Sequence, residues 1–343
     1  MMRGWPYLAL ACAFSLAVTP LFAATAPPGS AATASKAAKA RDKAQLAFQR
    51  DLVSVLAPSA DAQPLLGAAL LARPLFNQPK NNSFHTLIGR AAMAADAGAG
   101  VTWARLADCD AKADACPNPA ALELLQTQAP DNAAVWLLKL AEDTRNMKSD
   151  AARGDLAKAA AAKLYDDYAG TSLKALASSV GVLPPPADTF DPANAAGAVG
   201  MQTVMVYGIA SSQPQPGLQI TAKLCENAGD DASIKADCLK LGKTLEWGSS
   251  PLSRSLGLHL REVLSDDPAQ QEDAKRARLS LIWQVQSFST LLARAPDDKA
   301  LAQHLLALAR NGGTEMSLLL AALRDNGIPT DPPADWQPRQ AGN

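Results

Sequence analysis

Several kinds of residue are scarce in this sequence, and each shortage removes a class of function. The 343 residues carry 32 Lys+Arg against 33 Asp+Glu, a formal net charge of -1. Binding to nucleic acid or to an anionic membrane surface would call for a basic excess or a basic face, so neither is an expected partner. There are only three histidines, His85, His259 and His304, none three or four residues from another. No helix face can therefore offer the paired imidazoles of a metal site, and no metal is expected. The motifs H-E-x-x-H, G-x-S-x-G, S-x-x-K, G-x-x-x-x-G-K-[ST] and G-x-G-x-x-G are all missing, so no catalytic residue and no cofactor are assigned. Aromatic residues make up 5% of the chain and β-branched residues are sparse, whereas about one residue in five is alanine. That composition disfavours strands and favours helices throughout.

The N-terminus carries the most specific signal. Arg3 supplies a positive charge, residues 5–22 (WPYLALACAFSLAVTPLF) an apolar stretch, and Ala23 a small residue at the cleavage position. This is the pattern of a secretory signal peptide over residues 1–23, cleaved after Ala23. Later segments have no apolar run of membrane-spanning length, so the mature chain is not expected to insert into a membrane. The expected location is the periplasm or the extracellular medium.

Cleavage removes Cys12 and leaves an even number of cysteines, as disulfide pairing in an exported chain requires. The expected pairs are local, Cys109 with Cys116 and Cys225 with Cys238, the second joining two helices into a stapled hairpin; pairing between the two cysteine regions is the alternative. A four-cysteine zinc site would need closer thiol pairs than these spacings give.

The predicted organisation is a flexible linker over 24–34, an N-terminal helical domain over 35–181, a Pro-rich linker over 182–197, a C-terminal helical domain over 198–328 and an irregular tail over 329–343. Helices are read at 36–56, 63–75, 83–97, 101–107, 119–128, 133–145, 150–168 and 171–180 in the first half. In the second half they fall at 199–211, 218–228, 233–247, 251–264, 268–294, 298–310 and 314–325. Pro119 suits a first helical turn, and Asp131 or Asn132 a cap. Asp230-Asp231 and Asp266-Asp267 read as acids at helix N-termini, where the backbone dipole favours them. The boundary at 182–197 rests on Pro184-Pro185-Pro186, which forbid helix.

Ala129-Pro130-Asp131-Asn132 and Ala295-Pro296-Asp297-Asp298 are similar junctions, each preceded by paired leucines and followed by a Leu/Ala helix. Trp103 and Trp136 lie 33 residues apart, with Leu106 and Ala107 following the first. On these residues the segment 101–168 resembles a degenerate tetratricopeptide repeat. The resemblance implies stacked antiparallel helix pairs and a concave surface for a protein or peptide ligand. A plain irregular helical bundle is the other all-α architecture consistent with the pattern.

Two sets of residues are candidate binding surfaces. Trp103, Trp136, Tyr165 and Tyr168 are read either as groove-lining aromatics or as core. Lys275, Arg276 and Arg278 form a short basic run, read either as a solvated face or as an anion contact. The sequence thus points to an exported, non-catalytic helical protein that binds a protein or peptide partner in the cell envelope. The alternative is an envelope hydrolase or lyase whose acidic residues meet only in the folded chain.

Overall fold

Helix start signals place the elements. The computed structural model describes residues 28–109, 116–212, 214–229 and 231–338, with side chains from residue 36 onward. The α-helices are α1 (Pro28–Leu56), α2 (Ala62–Ala72), α3 (Phe84–Met93), α4 (Ala99–Arg105), α5 (Pro119–Gln128), α6 (Ala133–Arg145), α7 (Ser149–Ala161) and α8 (Ala169–Ser179). They continue with α9 (Gly197–Ala210), α10 (Leu218–Glu226), α11 (Ala232–Leu245), α12 (Pro251–Leu264), α13 (Pro268–Arg294), α14 (Lys299–Asn311) and α15 (Glu315–Asp325). The fold is all-α, and among the described residues the only β-type pairing is one isolated bridge, Asn132 with Leu164. The signal-peptide reading and its cleavage point lie outside the described residues.

Capping chemistry explains several of these boundaries. Asn118 accepts a hydrogen bond from the Ala121 N–H, with Pro119 at the first helical position of α5. Asp231 caps α11, Asp267 caps α13 ahead of Pro268, Asp298 caps α14 and Thr314 caps α15. Each cap satisfies donors that the first helical turn leaves unpaired, and such a cap contributes about 1 kcal/mol.

Two compact units, Met1–Ala40 and Arg41–Asn343, divide the chain. The described part of the first is the stretch of α1 up to residue 40, which corrects the expected linker over 28–34, while residues 24–27 of that linker lie outside the described ones. Residues 28–34 are helical, because Pro28 suits a first turn and the alanines after it favour helix.

Inside the second unit, sequence-adjacent helices pack as pairs, notably α2 with α3, α6 with α7, α11 with α12 and α12 with α13. Gly257 permits the α11–α12 crossing: a β-carbon there would lie 2.5 Å from the Glu246 nitrogen and 2.7 Å from the Gly242 carbonyl oxygen. Backbone cannot yield at those distances, so only glycine fits.

The expected boundary at 182–197 is corrected. The segment does interrupt the helices, holding only a short 3-10 turn at Ala187–Thr189, but the core runs across it. One apolar cluster joins Phe48 and Leu52 of α1, Leu66 of α2, Leu176 of α8, Val206 of α9 and Leu306 of α14. A second joins α4–α7 to α10–α12, and a third lies among α12–α15 and the approach to α9. Three prolines stop a helix, but they do not stop the flanking helices from burying their apolar faces on one another. The tail up to residue 338 is a strap on α13: the Trp283 indole donates to the Pro329 carbonyl at 2.8 Å and meets the Trp336 ring at 5.4 Å.

Both local disulfides are formed, Cys109–Cys116 and Cys225–Cys238. The second joins α10 to α11 within the buried core. Replacing Cys225 and Cys238 together by serine is expected to lower the unfolding free energy by about 3 kcal/mol, the chain-entropy value for so short a loop. Denaturant titration of both forms measures this, and equal stability would contradict it.

Candidate functional site

The aromatic candidates are held by backbone pairing between two distant turns. The Ala133 N–H donates to the Leu164 carbonyl at 2.8 Å, and the Lys163 and Leu164 N–H groups donate to Asp131. This is why α7 ends at Ala161 and not at 168 as the periodicity suggests. Buried Asn132 completes the link: its Oδ1 accepts from the Ala134 and Asp166 N–H groups, and its Nδ2 donates to the Asp166 carbonyl and the Tyr168 hydroxyl. Tyr168 consequently sits at a left-handed φ of 54°.

The arrangement puts the aromatics to structural use. Trp103 is 1% exposed and lies 5.6 Å, centre to centre, from the Tyr168 ring with the planes tilted by 52°, and Tyr165 is also buried. Trp136 is half-buried, its indole donating to the Pro130 carbonyl at 2.7 Å beneath the Lys158 ammonium, 4.4 Å from the ring centroid. The four aromatics therefore share one core region and do not line an open groove.

The basic run is likewise occupied. Lys275 pairs with Glu272 at 3.7 Å, Arg276 with Asp273 at 3.5 Å, and Arg278 with Glu262. A run neutralised residue by residue does not present a net charge to a ligand.

Carboxylates converge at two places. Asp143 of α6 and Asp155 of α7 are both buried. Burial works to raise Asp143, but the Lys139 ammonium at 2.8 Å overrides it and holds the carboxyl below its ordinary value. Burial keeps Asp155 above its ordinary value despite Lys158 at 3.3 Å. At the second place, buried Asp167 accepts from the Ser249 hydroxyl at 3.0 Å, and the Met316 N–H donates to the Ser249 carbonyl, which brings the start of α15 alongside. Glu315 there is pushed up to about 8, by burial first and then by the charge on Asp167. Neither acidic group lines either of the cavities described next, and each histidine pairs with a carboxylate outside them: His85 with Asp108, His259 with Glu226, His304 with Asp325. Among the described residues no group of three or more metal-ligating side chains occurs, and no helix is long and apolar enough to cross a membrane.

The larger cavity, about 680 Å³, is a groove between α1 and α9. The α9 wall presents Met201, Val204, Met205, Gly208 and Ile209, one helical stripe at positions i, i+3, i+4, i+7 and i+8. The α1 wall presents Arg41, Gln45, Leu46 and Gln49. Arg41 is tied to Asp191 at 3.1 Å, and Gln45 donates to the Thr189 carbonyl at 2.7 Å. Phe190 also lines the groove, beside Gly197, whose φ of +52° favours glycine.

No protein-family model, curated protein or solved structure matches this chain.

The polarity of α9 is what singles out the groove. An apolar helix ordinarily turns its few polar residues to water. Here Gln202 and Thr203 point inward, bonded to the Val180 carbonyl at 2.6 Å and to the Val199 and Ala302 carbonyls. Val204, 50% exposed, and Gly208 face out. The signal was present in the sequence, since GAVGMQTVMVYGIA has no polar face that could serve as a solvated side.

Proposed function

We propose that this is an exported helical binding protein of the cell envelope, periplasmic in a Gram-negative cell, which takes an amphipathic helix of a protein or peptide partner into the α1–α9 groove. The observation that carries the reading is the inverted polarity of α9, whose polar side chains are spent on the interior while Val204 and Gly208 are left to water, flanked by half-buried Met205 and Ile209. Exposed apolar surface of this kind is costly unless a partner covers it. The occupant follows from the walls: a helix presents apolar groups at the spacing of the α9 stripe, and Gly208, with no atom near its missing side chain, lets a partner backbone approach closely. Met205, half-buried at the groove wall, is adaptable enough to accept varied side chains.

The signal-like N-terminus supports export, and the two disulfides fit an oxidising compartment. The tetratricopeptide-like reading of 101–168 belongs to the same proposal only as stacked helix pairs, since the groove itself is lined by residues outside that segment.

The test is a selection of displayed helical peptides on the full chain, followed by fluorescence anisotropy on wild type and Val204→Asp. Enriched peptides are expected to carry apolar residues at i, i+3 or i+4, and i+7. The charge at position 204 should weaken them at least about tenfold while stability changes by less than about 0.5 kcal/mol, as for an ordinary surface substitution. Peptides that bind the variant equally well would overturn the reading.

A further inference from the structure

The smaller cavity, about 280 Å³, shares no lining residue with the α1–α9 groove. We propose that it binds a carboxylate carried on a short apolar body. Its walls include Leu106, Pro117, Leu138 and Ile220, and its charged groups are two arginines, Arg73 at the end of α2 and Arg145 in the last turn of α6. No acidic side chain occurs among the described residues that line it.

Neither arginine is neutralised by a carboxylate among the described residues, a state they share with Arg90, Arg254 and Arg310, whose guanidiniums bond backbone carbonyls. By contrast, Arg41, Arg261 and Arg278 each hold a carboxylate. Arg73 is half-buried, anchored by one donor to the Ser212 carbonyl at 2.7 Å with its guanidinium 5.9 Å from the centre of the Phe84 ring. Its burial already disfavours the charged form. A planar guanidinium fixed at one end, with its other N–H groups lacking a protein acceptor, matches the two oxygens of a carboxylate. The volume, about nine waters' worth, and the aliphatic walls fit a short hydrocarbon body beside that headgroup.

A free aliphatic acid and the C-terminal residue of a peptide share this chemistry. Calorimetry of the full chain would use hexanoate, hexanol, inorganic phosphate, and the tripeptide Ala-Leu-Val as its free acid and as its amide. At least one acid is expected to bind about tenfold or more tightly than its uncharged counterpart, the effect of one charge-assisted contact. The tighter of hexanoate and peptide acid identifies the source, and either result supports the site.

Arg145→Gln, at an exposed position, should weaken the acid at least tenfold with an unchanged melting temperature. Arg73→Lys should weaken it too, since an ammonium keeps the charge and loses the fork. Equal binding of hexanol and hexanoate, unchanged affinity in Arg145→Gln, or phosphate binding as tight as the better acid would each overturn the proposal, as would no binding of either acid at millimolar concentration.

Discussion

Replacing Glu315 by glutamine is expected to stabilise the protein at pH 8 and to leave it nearly unchanged at pH 5. The wild-type carboxyl is pushed up to about 8, although it stands at the first position of α15, where the helix dipole favours a negative charge. Burial and the neighbouring Asp167 therefore outweigh the dipole. The sign follows from proton counting: between the ordinary carboxyl range and pH 8, the folded chain holds a proton that the unfolded chain has released. This contribution to stability is full below about pH 4.5 and falls as pH rises, levelling off above 8. Its size is on the order of 5 kcal/mol, at 1.36 kcal/mol per pH unit of displacement from 4.5 to about 8. Asp166, raised mainly by its burial, adds in the same direction. Unfolding free energies from denaturant titration at pH 5, 6, 7 and 8 give the slope, which should flatten in Glu315→Gln. An unaltered slope would mean that the carboxyl is hydrated in the folded chain.

Trp103→Ala is expected to cost about 3–5 kcal/mol, the usual penalty for emptying a buried tryptophan site. The side chain is 1% exposed, and its loss also removes the support of Tyr168 and hence of the strained turn that Asn132 organises. Trp136→Ala, at a half-buried position, should cost about 1 kcal/mol, mainly from lost packing and the Lys158 contact. Urea unfolding of both variants separates a core role from a ligand-facing one. A Trp103→Ala change below about 1 kcal/mol would show that the aromatic cluster is not the keystone of this core.

Local chemistry made much of the fold legible. The spans 119–128, 133–145, 251–264 and 268–294 coincide with α5, α6, α12 and α13, because proline at a first turn and Asn, Asp or Ser before it are short-range signals. Cysteine spacing likewise sufficed for both disulfides. What escaped depends on residues far apart in the chain. Residues 162–168 continue a helical pattern, yet pairing of 163–166 with 131–132 pulls them into a turn, and Tyr165 and Tyr168 move with it. The prolines at 184–186 announce a break but carry no information about what packs beside it. The basic run at 275–278 reads as a patch only until Glu262, on another helix, is placed against Arg278. Val204 and Met205 were hidden for the opposite reason: an all-apolar helix reads as core until the inward bonds of Gln202 and Thr203 show which side is left outside.

The core that crosses residues 182–197 also sets the order in which the molecule can be completed. Leu173 and Leu176 of α8 find their packing partners partly in α14, far later in the chain. Until α14 exists, that face has nothing to close on, and bringing it in must overcome the entropy of closing a long loop. Early helices can form as they emerge, but they cannot lock. The first half alone therefore leaves an apolar face uncovered, and the α8 packing is completed only when a segment more than a hundred residues later is in place.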